Sequence, residues 1–190
     1  VILVLLVFKG LSLEGGKKGL EFLFKPKFSD LNPSSIVMAL GHAFFTLSLG
    51  MGTMITYGSY LDKKQNLFSS AIWVILLDTF IAMLAGTAIF TIVFAMGADP
   101  SAGAGLIFVV LPTIFPQIGG GVIWGALFFF ILFMAALTSA ISILEVITAY
   151  FVDEKGWSRN KATLLFGGVI SLVGVFCSLS LGDFNITNFI

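Results

Sequence analysis

Gly50 and Gly52, one residue apart, stand with the hydroxyls of Thr46, Ser48 and Thr53 inside the apolar stretch Ile36 to Tyr60. That stretch is long enough to cross a bilayer as a helix at about 1.5 Å per residue. Each glycine costs a helix interior about 1 kcal/mol relative to alanine, and short hydroxyl side chains compete for backbone groups. A break is therefore expected near Leu47 to Gly52. Unwound backbone at membrane depth is tolerated only where it is buried in protein or lines a cavity, and there its carbonyls and helix ends become ligands for ions and charged substrates. The chemistry implied is binding and transport. Asp78 is a second such feature, an acid within the apolar run Leu67 to Met96. A charge at the bilayer centre costs at least about 2.5 kcal/mol unless it meets a cation or polar partner, so Asp78 should face the interior of a helix bundle.

The elements that must hold these residues belong to a membrane protein. The chain has 190 residues, of which 58% are apolar and 11% charged, with mean hydropathy +1.07. A soluble domain carries about a quarter charged residues, so the expected surroundings are a lipid bilayer. Ten basic residues balance ten acidic ones. Without a polybasic face, nucleic-acid binding is excluded as a reading. The single Cys177 lies in an apolar run, with no disulfide partner and no metal-ligand spacing; it reads as a packing or lipid-facing residue. Residues 1–8 are too short to span and lack the basic flank and cleavage site of a signal peptide, which fits the end of a helix. With no polar tail at Asn188-Phe189-Ile190, the expectation is a piece of a larger bundle.

Along the chain, residues 9–35 read as a polar loop with five lysines and the turn formers Gly15-Gly16, Pro26 and Pro33. A broken helix is expected over 36–61, then helices over 67–97, 119–152 and 162–182. The segment 99–118 carries Pro100, Pro112 and Pro116 around an apolar centre, which suits a short helix-turn-helix acting as a cap. Lys9 to Ser35 has five basic residues and the two connectors opposite also have five, so basic charge does not orient the chain.

The stretch Gly41-His42-Ala43-Phe44-Phe45-Thr46-Leu47-Ser48-Leu49-Gly50-Met51-Gly52, continuing through Ile55-Thr56-Tyr57-Gly58-Ser59-Tyr60-Leu61, closely resembles the sixth transmembrane helix of the neurotransmitter:sodium symporter family. Ala135-Ala136-Leu137-Thr138-Ser139-Ala140-Ile141-Ser142, followed by Glu145, resembles the family's eighth helix. Leu111-Pro112-Thr113-Ile114-Phe115-Pro116 resembles its fourth extracellular loop. The resemblance runs from the end of helix five to helix nine. It implies an all-α integral membrane fold, a fragment of the LeuT-type five-plus-five inverted-repeat bundle, with the remaining transporter helices outside this chain. It also implies that 9–35 and the 99–118 cap are extracellular, and that the connectors at 62–66 and 153–161 are cytoplasmic.

On this resemblance, Thr46 and Asp78 correspond to a first sodium site, with a carboxylate where relatives often have asparagine. The Ala135 carbonyl and the Thr138 and Ser139 hydroxyls correspond to a second. Sodium is a hard cation that prefers several oxygen ligands, and positions i, i+3 and i+4 share a helix face. The alternative for helix eight is that small hydroxyl residues simply permit close packing. For Asp78, the alternative is a hydrogen bond to a neighbouring helix with no ion. The substrate pocket implied is Phe45, Thr46, Ser48 and Met51 with Ser139 and Ile143, apolar walls around a few polar anchors. Met51 stands where several relatives have phenylalanine, which favours hydrophobic amino acids. Chloride-dependent relatives carry a serine where this chain has Ala82, so chloride is not expected to be required, and no organic cofactor is expected. His42 replaces a common glutamine; it is either a proton-sensitive neighbour of Asp78 or a neutral hydrogen-bond donor. Glu145 either braces the broken helix or faces the cytoplasm at the end of its span.

The expected function is sodium-coupled symport of an amino acid into the cell by alternating access, in the cell membrane, without covalent chemistry. One alternative is a channel or substrate-sensing receptor on the same scaffold. Another is an intramembrane hydrolase using His42 with Ser48, for which six residues across a break give no helix-face geometry.

Overall fold

Apolar residues in uninterrupted runs leave a chain in lipid with one economical solution, the helix, which satisfies every backbone group within the segment. The computed structural model describes residues 1–25, 27–101, 103 and 105–180, and these contain helices and turns without a strand. Pro26 and the end of the expected 162–182 span lie outside the described residues. The helices are α1 (Ile2–Leu11), α2 (Gly16–Phe24), α3 (Pro33–Thr46), α4 (Thr53–Ser59), α5 (Leu67–Ala95), α6 (Leu111–Ile114), α7 (Gly121–Asp153) and α8 (Arg159–Ser180). α5, α7 and α8 are long and apolar enough to cross a membrane. The remaining long apolar stretch is divided between α3 and α4.

The chain forms two compact units. The first comprises Val1–Leu47 and Lys63–Ala136. Its core gathers Leu6 of α1, Ala88, Ile92 and Val93 of α5, Leu106, Leu111, Ile114, Phe115 and Ile118 of the proline-rich segment, and Phe128 of α7. Phe115 meets Phe128 and Phe129 at ring-centroid distances of 5.6 and 6.4 Å, which fixes that segment to the start of α7.

Two expectations are corrected in this unit. Residues 9–35 are not simply a loop, because α1 continues to Leu11 and α2 occupies Gly16–Phe24. Glycine makes this possible. A Cβ on Gly19 would lie 2.5 Å from the backbone of Phe90, so α2 packs directly on the main chain of α5. Phe22 adds ring contacts to Phe90 and Phe94 at 5.0 and 5.2 Å. Of the five lysines that suggested a loop, Lys17 and Lys18 lie exposed on α2, Lys9 belongs to α1, and Lys25 and Lys27 follow α2. Nor does the 99–118 segment form a helix-turn-helix within its described residues. Leu106–Gln117 is one helical run of changing pitch, a π turn over Leu106–Val110 leading into α6 and a 3-10 turn over Phe115–Gln117. Pro112 and Pro116 have no N–H to give to the preceding turn, so the regular ladder cannot continue through them. At its start the Ser101 hydroxyl and amide donate to Asp99 at 2.7 and 2.9 Å, holding that carboxyl below its usual range.

The second unit comprises Ser48–Asp62 and Leu137–Ile190. Gly52 meets the Val146 side chain and Gly167 meets Leu144, so α4 and α8 both pack on α7. Phe151, Trp157 and Phe166 stack around the α7–α8 turn with centroids 4.5 to 6.3 Å apart, and the Lys161 ammonium sits 4.4 Å from the Trp157 ring centre.

Candidate functional site

The local sequence sets both ends of the break. α3 starts at an Asn32 cap, whose side chain accepts the Ser35 amide at 2.8 Å, with Pro33 in the first turn. It ends at Thr46, and the Leu47 amide closes the last turn on the Ala43 carbonyl at 3.1 Å. Residues 47–52 intervene before α4 begins at Thr53, with the Gly52 carbonyl accepting the Thr56 amide at 2.9 Å and the Thr56 hydroxyl at 3.1 Å. Between them Ser48, Gly50 and Gly52 hold φ of 53°, 80° and 82°. No L side chain prefers this left-handed region. At Gly50 the space for a Cβ is open, so the requirement for glycine there comes from the backbone dihedral. The last carbonyls of α3 and the first amides of α4 lack partners within their helices, which leaves main-chain ligands at the interruption.

In the first unit, Thr46 and Asp78 meet although 32 residues separate them: the Thr46 hydroxyl donates to Asp78 Oδ1 at 3.0 Å. Asp78 is half-buried on α5. A hydroxyl can rotate to present a lone pair instead of its hydrogen, so both oxygens can serve one cation. Phe45 lies beside Thr46 on α3 and is 74% exposed, and His42 lies one turn earlier, also exposed. Ser48 and Met51 stand on the break itself. Ala135, Thr138, Ser139 and Ile143 lie on α7, with Ser139 and Ile143 one turn apart on one face. Ala82 is one turn beyond Asp78 on α5.

The second unit contains side-chain chemistry that reading the sequence underrated. Tyr57 donates its hydroxyl to Ser142 Oγ at 2.6 Å, and Ser142 donates to the Thr138 carbonyl at 2.9 Å. One turn further on each helix, Tyr60 donates to Glu145 Oε1 at 2.5 Å, and Arg159 pairs with the same carboxylate. Glu145 therefore braces the half-helix after the break, one of its two expected roles. The signal was present as two tyrosines three apart, facing a serine and a glutamate three apart.

An interrupted helix, together with helices long and apolar enough to cross a membrane, is the architecture of the broken-helix class of membrane proteins. Residues 1–189 match the sodium:neurotransmitter symporter family, and the chain belongs to that family. It is 43% identical over 182 residues to the uncharacterized sodium-dependent transporter YhdH of Bacillus subtilis, covering 96% of this chain and 40% of that protein. It is 31% identical over 197 residues to the human sodium- and chloride-dependent neutral and basic amino acid transporter B(0+), covering 96% of this chain and 31% of the relative. The crystal structure of MhsT in complex with L-phenylalanine matches with a TM-score of 0.85 and 48% identity, over 100% of this chain and 43% of that one. The fold is thus the LeuT type, and this is a multi-pass membrane protein of a transporter family, not an enzyme. The hydrolase reading is set aside. The chain spans about two fifths of YhdH and of the MhsT chain.

Proposed function

We propose that this chain is part of a sodium-coupled symporter that carries a hydrophobic amino acid into the cell by alternating access. The observation that carries the reading is the Thr46–Asp78 pair beside the break, a hydroxyl and a carboxylate 3.0 Å apart in an apolar setting. In the proposal these two oxygens bind a first sodium, and Asp78 supplies its countercharge. The Ala135 carbonyl with the Thr138 and Ser139 hydroxyls binds a second, and oxygen ligands of this kind suit a hard cation. The main chain from Thr46 to Gly50 receives the substrate's polar end; Phe45, Met51 and Ile143 surround its side chain, with Ser48 and Ser139 as polar anchors. The phenylalanine bound by MhsT supports the hydrophobic substrate, and an unbranched Met51 leaves room for several shapes. The sodium gradient drives the cycle because ion and substrate share ligands on the interrupted helix. The 9–35 segment and the 99–118 cap face outside in this scheme.

The test is uptake by the full-length protein in proteoliposomes with an imposed sodium gradient. Accumulation above the external concentration is expected; equilibration alone would indicate a channel, and binding without flux a receptor. Replacing chloride with gluconate should leave uptake unchanged, since the negative charge is built into Asp78. The double variant Asp78→Asn with Ala82→Ser is expected to gain chloride stimulation. Collapse of the parent's uptake in gluconate would overturn the built-in charge.

A further inference from the structure

Ser142 is bonded on both sides, by the Tyr57 phenol at 2.6 Å and through its own hydrogen to the Thr138 carbonyl at 2.9 Å. All three residues lie in one compact unit, Tyr57 on α4 and the other two on α7. The Thr138 carbonyl belongs to the peptide plane joining Thr138 to Ser139, so the chain of donors from α4 ends on the backbone between two hydroxyl residues. A carbonyl in mid-helix already accepts the amide four residues on, and a serine back-bond of this kind adds a second donor and bends the helix slightly. Serine does not need the phenol for this bond. Tyr57 nevertheless completes the series, and linked hydrogen bonds in a low-dielectric setting strengthen one another.

From this geometry we infer that Tyr57 and Ser142 are positioning residues that couple the orientation of the half-helix α4 to the Thr138–Ser139 turn of α7, so that sodium held by those two hydroxyls and the docked state of α4 stabilise each other. The inference rests on the sodium-site reading of Thr138 and Ser139 above. Its physical content is reciprocal linkage. If docking α4 improves the placement of the two hydroxyls, then a cation on those hydroxyls must favour docking by the same factor. Tyr60, with Glu145 and Arg159, holds the next turn of α4 and limits how far it shifts when one tyrosine is altered. Loss of the Tyr57 hydroxyl should therefore alter ion affinity without unfolding the unit.

The experiment uses sodium chloride itself as the probe. The full-length protein in detergent is melted over a sodium titration at ionic strength held constant with choline chloride, and the sodium concentration giving half of the rise in Tm is recorded. Tyr57→Phe and Ser142→Ala are each expected to raise that midpoint about three- to tenfold, the equivalent of one neutral hydrogen bond. The double variant should raise it no further than the larger single effect, because both substitutions cut the same chain of donors. Ser142→Thr, which keeps the hydroxyl, should retain the parent midpoint, and the Tm without sodium should move little in any of them. Thr138→Val separates the two layers of the argument. If it raises the midpoint while Tyr57→Phe and Ser142→Ala do not, the coupling is overturned and the sodium site stands. If it leaves the midpoint unchanged, the sodium-site reading fails and the coupling falls with it. Additive effects in the double variant would overturn the coupling by showing two independent contributions.

Discussion

Thr53 and Thr148 are each 1% exposed, and their hydroxyl oxygens have no partner among the described residues. A buried donor left unmade costs about 1–3 kcal/mol, whereas an apolar group of the same shape avoids that penalty. Thr148→Val is therefore expected to raise the Tm of the detergent-solubilised protein by a few degrees, and an unchanged or lower Tm would mean that the hydroxyl is satisfied in the membrane. Other residues were readable at this scale for a plain reason. Asp78 stood out because an acid in a run of apolar residues needs a partner, and the structure supplies the Thr46 hydroxyl. Tyr57 and Ser142 did not stand out. A tyrosine near the end of an apolar helix fits an interfacial anchor equally well, and a serine on α7 fits close packing, so their bond emerges only when two distant turns are brought together.

At the level of elements, the break between α3 and α4 was legible because glycine spacing and hydroxyl density coincide within six residues. The left-handed dihedrals at Ser48, Gly50 and Gly52 are the physical form of that signal. Gly50→Leu is expected to reduce uptake below a tenth of the parent while the protein still inserts in the membrane. The space around Gly50 is open, so strain from its φ of 80°, not a clash, would be the cause. Wild-type uptake in this variant would show that the left-handed turn is dispensable. α2 was illegible for the converse reason. Its nine residues are rich in lysine and carry Gly16 and Gly19, both poor helix signals in isolation. The helix exists because Gly19 lets it approach the α5 backbone and Gly16 the α1 backbone at Gly10, a tertiary gain that local propensity cannot express. The π turn at Leu106–Val110 was equally hidden, since prolines announce an irregularity without stating its pitch.

For the molecule as a whole, burial is uneven. The first unit has a true core where α1, α5, the proline-rich segment and α7 meet, whereas few residues in the most apolar windows of α5, α7 and α8 are buried within the chain. Composition made the membrane setting plain, but it could not show which parts of a largely apolar chain pack on protein. The docking of α2 on α5 has a consequence for proteolysis. A protease needs an unfolded segment to fit its cleft, and Lys17 and Lys18 lie on a helix seated against main chain, while Lys27 lies just outside it. Trypsin added outside right-side-out vesicles should therefore nick the chain after Lys27 well before Lys17 or Lys18, leaving the α1–α2 hairpin on one fragment. First cuts at Lys17 and Lys18 would mean that the glycine seat opens readily, and protection of all three from external trypsin would place this end of the molecule on the inner face of the membrane.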